Sequence, residues 1–292
     1  METKKKWLGM VFLIGISFFF SHLLSLHSEI PEIKNENCPP KKIERIISAS
    51  SISTQILYDL GVEDKIVGVS KSSLNPPGAE KKVQIGRSFG HLNIETILSL
   101  QPDIVFCWKG DASILKEKGL CVFFHKGTCD IKKIIELVKE VGKIVGKEKR
   151  AEEIAENMEM RVKEIVERIK NIKKKPLVYF EGYSIGSTRG PGSLTHELIT
   201  LAGGENLAKD TKTPFPLLSQ EYIIAKNPDI IIVEEYGAKI EDIKRRPGWQ
   251  NIKAIKNNKI YKSRIYFTNY TPRCIEGLEQ FARWFHPEVF EK

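Results

Sequence analysis

The chain has 292 residues, room for two domains of ordinary size, and at 41% hydrophobic and 28% charged it has a globular composition. Its formal net charge is +9, of which Met1–Lys6, with three Lys and one Glu, supplies +2. The remainder is spread over lysine-rich helices with no basic stripe interleaved with aromatics, which argues against nucleic acid as a partner.

Lys4, Lys5 and Lys6 precede "WLGMVFLIGISFFFSHLLSL", residues 7–26. Twenty helical residues span about 30 Å, the thickness of a bilayer's hydrocarbon core. Residues 1–28 are therefore expected to be a membrane anchor or a signal peptide. An uncleaved anchor is favoured, because no clear small-x-small cleavage site follows. The lysines put the bulk of the chain on the extracytoplasmic side. Residues 29–42, polar and holding Pro31, Pro39 and Pro40, read as a tether. Cys38, in "NENCPP", lacks the short apolar-small run expected before a lipidated cysteine.

Strands and helices alternate over residues 43–146. "RIISA" (45–49) and "KIVGVS" (65–70) are strands; between them "SISTQILYDLGV" (51–62) is a helix capped by Ser51 or Ser53 and stopped at Gly61. A loop at 73–82 leads to the short strand "VQIG". "NIETILSLQPDIVF" (93–106) is a short helix, a Pro-Asp stop and a buried strand, with Ile94, Ile97 and Leu98 on the helix's apolar face. A helix near 111–118 and the strand "CVFFH" (121–125) follow. This alternation predicts an α/β lobe with a mostly parallel sheet.

From Ile131 the apolar residues take a helical period, Gly146 interrupts, and a second helix runs over roughly 147–173, about 40 Å. Residues 147–175 read as a rigid spacer; they lack the sustained heptads of a coiled coil. Residues 176–292 make a second α/β lobe. Its pieces are the strand "PLVYFEGY", the helix "SLTHELITLAGG", the unit "SQEYIIAKNPDIIIV", a short helix and strand in "GWQNIKAIKNNKIYKS", and the amphipathic helix "PRCIEGLEQFARWFHPEVF". The two lobes repeat one pattern. Glu95 precedes Pro102 by seven residues, Glu221 precedes Pro228 by seven, and each Pro-Asp leads into an apolar strand. The copies lie 126 residues apart, a period that means two similar lobes rather than a solenoid.

In open parallel sheets, ligands sit beyond the carboxyl ends of the strands, so two facing lobes make a ligand cleft between them. The loops at those ends carry Arg87, Phe89, Trp108, Lys109, Lys126, Tyr183, Arg189, Tyr236, Tyr266 and Arg273. Aromatic rings pack on flat or greasy chelates and guanidinium groups pair with carboxylates, so this set suits an anionic ferric chelate. His91 and His125 lie on the same loops, and His91 is a candidate axial ligand for haem; direct metal binding otherwise has no defined ligand set. The cysteines are Cys38, Cys107, Cys121, Cys129 and Cys274. Their spacing matches no zinc site; Cys107 and Cys129 both follow apolar strands, and buried unpaired thiols are favoured over a bridge.

The segments "RIISASSISTQILYDLGVEDKIVGVS", "NIETILSLQPDIV", "LTHELITLAGGENLA", "LLSQEYIIAKNPDIIIV" and "EGLEQFARWFHPEVF", in that order, give the chain its family likeness. It resembles the ferric-siderophore, haem and cobalamin branch of the ABC-importer substrate-binding proteins over most of residues 43–290. The resemblance implies two α/β lobes joined by a single long helix and an extracytoplasmic location. It implies a partner ABC permease dimer with its ATPase, and a metal chelate, first of all an iron complex, as cargo with no intrinsic cofactor. It also implies that Glu95 and Glu221, one per lobe, dock onto arginines of the permease. A cobalamin or haem carrier is the alternative within the same fold. A chelatase-like enzyme, which shares a related topology, and a surface sensor are the alternatives from other classes; no acid–base pair or nucleophile motif stands out for the enzyme.

Overall fold

The computed structural model describes residues 38, 42–73, 76–125 and 130–290. The anchor expected at 1–28, most of the tether, and Lys126 and Cys129 lie outside them. Among the described residues, no helix is long and apolar enough to cross a membrane.

The first lobe holds β1 (Ile46–Ser48), β2 (Ile66–Val69) and β3 (Val83–Gln84), the small antiparallel hairpin of β4 (Gly86–Arg87) and β5 (His91–Leu92), then β6 (Ile104–Trp108) and β7 (Val122–His125). Its sheet is parallel throughout, in the order β3-β2-β1-β6-β7. The second lobe holds β8 (Leu177–Glu181), β9 (Glu205–Asn206), β10 (Ile230–Val233) and β11 (Ile260–Lys262), again parallel, in the order β11-β10-β8-β9. The run β2-β1-β6-β7 in one lobe is the run β9-β8-β10-β11 in the other. The repeat seen in the sequence is a repeat of topology.

The strands are apolar on both faces because both faces are covered. Ile46, Ile104 and Phe106 point into a core shared with the long helix, while Ile47, Val105 and Cys107 point into a second core on the outer side. In the other lobe Val178, Phe180, Ile230 and Ile232 join the shared core, and Tyr179, Ile231 and Val233 an outer one. This is the two-residue period of a strand with two dry sides. The helix Glu148–Ile169, about 33 Å long by its 22 residues, contributes Ala151, Ala155, Met158 and Ile165 to the shared core. The helix Ile131–Ile144 precedes it across Gly146, whose φ of 69° makes the break. Polar ties cross as well: Arg161 Nε meets Glu279 Oε1 at 2.7 Å, and the Ile131 amide donates to Glu197 Oε2 at 2.8 Å.

Local details differ from the sequence reading. The cap of the helix Ser51–Asp59 is Ser50, whose Oγ accepts the Ser53 amide, because the chain leaves β1 in an extended conformation one residue earlier than expected. In the helix Ile94–Ser99, Ile97 is buried and Leu98 is exposed; six residues are too few to bury more than one ridge. The helix expected near 111 begins at Lys109, directly after Trp108. The amphipathic helix expected over 272–290 is two helices, Cys274–Phe285 and the short Pro287–Phe290, broken at His286, since Pro287 disfavours helical geometry at the preceding residue. The preference for unpaired cysteines is corrected by a Cys38–Cys121 disulfide, a pairing across 83 residues that spacing alone could not reveal. Cys107 and Cys274 are buried and unpaired.

The Pro-Asp pairs have a structural role of their own. Asp103 Oδ2 accepts the amides of Glu44 and Arg45 at 2.8 Å each, just ahead of β1. Asp229 Oδ2 accepts the amide of Leu177, the first residue of β8, at 2.9 Å. Each aspartate thus ties the strand it precedes to the first strand of its lobe.

Candidate functional site

On the first lobe the carboxyl ends of β1, β6 and β7 and the hairpin tip between β4 and β5 build one wall. Phe89 stands on that tip with its ring centroid 5.5 Å from that of Trp108, the last residue of β6. Trp108 in turn meets His125, the last residue of β7, edge-on at 4.1 Å. Parallel pairing of Trp108 with His125 puts these side chains in neighbouring register. His125 Nε2 lies 3.1 Å from Ser50 Oγ. Ser50 donates its own proton to Ser53 Oγ and accepts the Ser53 amide, so the imidazole supplies an Nε2–H to it. The pair is therefore a packed cap and support for Trp108, with the serine acting as acceptor. Burial pushes the His125 imidazole down to about 4. Arg87, Lys109 and His91 are exposed around this wall, Arg87 and His91 opposite each other across the hairpin.

On the second lobe, the loop 183–190 runs against 213–218. The amides of Thr188 and Gly190 donate to the carbonyls of Pro216 and Pro214, each at 3.0 Å. This brings Phe215 onto Arg189, whose guanidinium lies between the Phe215 and Phe180 rings at 5.5 and 5.7 Å. Arg189 Nη2 is paired with the buried Glu234 at 2.8 Å. A pocket of about 150 Å³ opens here, lined by Tyr183, Arg189, Phe215, Glu234 and Asn269 among others. Burial and the neighbouring Glu234 carboxylate push the Tyr183 phenol up to about 12, so it stays a donor. Beneath this wall Arg246 clamps the buried Glu181 through two bonds of 2.6 and 2.8 Å. Four rings at these strand ends are exposed: Phe89 65%, Tyr183 60%, Phe215 60% and Tyr236 66%.

The sequence-derived candidates thus separate into groups. Phe89, Trp108, Arg87 and Lys109 share the first wall, and Tyr183 and Arg189 share the second, with Tyr236 exposed in the loop that follows β10. Tyr266 and Arg273 go elsewhere. The Arg273 guanidinium covers the Tyr266 ring at 3.5 Å, pairs with Glu276, and lines a separate pocket of about 390 Å³ with Asp59, Arg150 and Arg161. Phe215 and Glu234 were missed. Phe215 sits in the segment "DTKTPFP" and Glu234 directly follows β10; neither residue carried a signal of its own. Among the described residues, no group of three or more His, Cys, Asp or Glu is arranged to hold a metal ion.

Glu95 and Glu221 occupy equivalent places, the second residue of a short helix capped by Asn93 in one lobe and Ser219 in the other. Both are exposed. The Glu221 carboxyl is held below its ordinary value by the backbone amide at its own position and by Ser219.

Residues 46–264 match the model of a family described as periplasmic binding protein. The chain belongs to this periplasmic binding protein family. It is 28% identical over 276 residues to the ABC transporter substrate-binding lipoprotein YvrC of Bacillus subtilis, covering 90% of this chain and 87% of that one. It is 27% identical over 258 residues to a vitamin B12-binding protein of Vibrio cholerae, covering 84% of this chain and 90% of that one. Among solved structures it matches a possible iron-binding (periplasmic solute-binding) protein from Staphylococcus epidermidis with a TM-score of 0.73 at 29% identity, over 86% of this chain and all of that one. Its two lobes of parallel sheet are the architecture of this binding-protein family.

Proposed function

We propose that this protein is the extracytoplasmic solute-binding component of an ABC importer, taking a metal chelate between its lobes and handing it to a membrane permease. The observation that carries the reading is the pair of walls at the strand ends, each with exposed aromatic rings backed by buried polar supports. Such walls suit a bulky organic complex that brings its own metal ligands, and iron is the first candidate metal. Arg87 and Lys109 offer cations to an acidic chelate.

A cobalamin or haem cargo is the second reading. The Arg189–Glu234 pair favours it, because that arginine's charge is already balanced, leaving a wall of rings and a neutral phenol. The similarity to vitamin B12-binding proteins points the same way. The test is a titration of the protein with ferric hydroxamate, catecholate and citrate complexes, haemin and cyanocobalamin, followed by tryptophan fluorescence. Saturable binding of a ferric complex that is weakened by Trp108→Ala supports the first reading; binding of haemin or cyanocobalamin alone selects the second. No binding across the panel sinks both and returns weight to the sensor alternative.

Delivery would use Glu95 and Glu221, two exposed carboxylates related by the repeat and suited to two equivalent permease subunits. Changing both to Ala is expected to abolish uptake in cells while cargo affinity stays within twofold. Undiminished uptake by the double variant removes the docking role.

A further inference from the structure

The tip of the β4–β5 hairpin, Ser88-Phe89-Gly90, holds a backbone shape that its middle residue does not favour. Phe89 has φ 64° and Gly90 φ 84°. Glycine enters this left-handed region freely, whereas any residue with a Cβ meets the following carbonyl there. Burial does not hold Phe89 in place, since most of its ring faces solvent.

What meets the tip is Asp111. Its carboxylate is 1% exposed, and its two oxygens face two backbone amides. Oδ2 accepts the Phe89 amide at 2.9 Å and Oδ1 the Gly90 amide at 2.7 Å. The turn at Phe89-Gly90 points two consecutive amides at the one carboxylate. On the other side of the tip, Ser88 Oγ donates to the Ala49 carbonyl at 2.6 Å, at the end of β1. Asp111 is also the third residue of the helix Lys109–Glu117, where the open amides of the first turn favour a negative charge. That helix starts directly after Trp108. One short segment therefore carries both Trp108 and the group that fixes Phe89, and the spacing of the two rings is set through three residues of chain.

We infer that Asp111 is a positioning residue, holding Phe89 in the left-handed conformation so that Phe89 and Trp108 form a two-ring platform before any cargo arrives. Its importance to binding rests on the reading of this wall as a ligand face; the hold on Phe89 does not. A preformed platform spares the bound state the ordering of an exposed hairpin tip, which is how such a residue raises affinity without touching cargo.

The test compares the full-length protein with D111A, D111N, F89A and the D111A/F89A double variant. Hydrogen exchange at the Phe89 and Gly90 amides and the near-ultraviolet circular dichroism of the Phe89–Trp108 pair are read without cargo. D111A is expected to deprotect both amides at least tenfold and to reproduce the spectral change of F89A, with no further spectral change in the double variant. D111N keeps one acceptor oxygen and is expected to lie between wild type and D111A. Should D111A fail to fold, D111N carries the comparison. Amides that stay protected in the aspartate variants, or a wild-type spectrum in them, overturn the inference. Haemin and cyanocobalamin then serve as probes. For whichever binds the wild type, D111A is expected to weaken binding about tenfold, and by nothing more once Phe89 is Ala; an undiminished loss in the F89A background overturns the claim that Asp111 acts through Phe89. If the exchange and spectral results hold while F89A leaves binding of both probes unaltered, the hold is supported and the ligand-face reading is what fails.

Discussion

His125 shows how a support residue makes a protein sensitive to acid. It is 4% exposed, and burial holds its imidazole down to about 4. In the unfolded chain the same group takes up its proton near 6.5. Between these values the unfolded state binds more protons than the folded one. The contribution of His125 is therefore fully present above pH 6.5 and is lost as pH falls toward 4. At full size the effect is about 3 kcal/mol. Urea unfolding at pH 7.5 and pH 4.5 should show a smaller stability difference in His125→Gln than in the wild type. An equal difference would assign the acid sensitivity to other groups. The Glu181–Arg246 pair is a second buried dependence. Removing only its cation, in Arg246→Met, leaves the buried Glu181 carboxylate uncompensated, with the Tyr179 hydroxyl at 3.1 Å still donating to it, and is expected to cost about 3–5 kcal/mol of unfolding free energy. Replacing both partners, in Glu181→Met with Arg246→Met, is expected to recover most of that loss in the same denaturant measurement.

At the level of elements, the repeated helix-Pro-Asp-strand unit separates two kinds of acid. Glu95 and Glu221 each take the second position of a short helix and face solvent. Asp103 and Asp229 bond to the beginnings of β1 and β8. Asp103→Ala and Asp229→Ala are each expected to lower stability by about 1–3 kcal/mol, because amides that open a strand lose their acceptor. Glu95→Ala and Glu221→Ala are expected to stay within about 0.5 kcal/mol. Equal thermal shifts for the two kinds of variant would argue against this division. The repeat itself was legible because its period, its proline stops and its apolar strands are local features. The role of its aspartates was not, since Asp229 finds its partner 52 residues away and Asp103 finds one 59 residues away. The same limit explains the site. Phe89, Trp108 and Arg189 could be assigned to strand ends from the alternation of elements. That Glu234 neutralises Arg189, or that Arg273 turns to Tyr266 and a different pocket, depends on pairings set by packing.

For the whole molecule, the Cys38–Cys121 bridge is a covalent tie across the first lobe. Cys121 immediately precedes β7, an edge strand of the first sheet, so the bridge fastens the start of the chain's described part to that edge. A sulfur in this bond cannot also carry a lipid. In the bridge, the Cys38 sulfur is therefore taken up by Cys121. The bridge also fits an oxidising compartment, where such bonds persist. Its energetic weight follows from the loop it closes. A separation of 83 residues removes enough freedom from the unfolded chain to be worth about 4.5 kcal/mol in the chain-entropy account, an upper figure that native-state strain reduces. Cys107 and Cys274 offer no ready replacement, being buried, and burial pushes the Cys107 thiol up to about 12. Cys121→Ser is accordingly expected to lower the unfolding free energy by about 2–4 kcal/mol and to make the melting temperature indifferent to dithiothreitol. Wild-type protein should lose a similar amount on reduction, and a non-reducing digest should yield a cross-linked peptide containing Cys38 and Cys121. A lipid-modified Cys38 peptide, or a wild-type melting temperature untouched by reductant, would replace the bridge with an anchor as the fixed point of the chain.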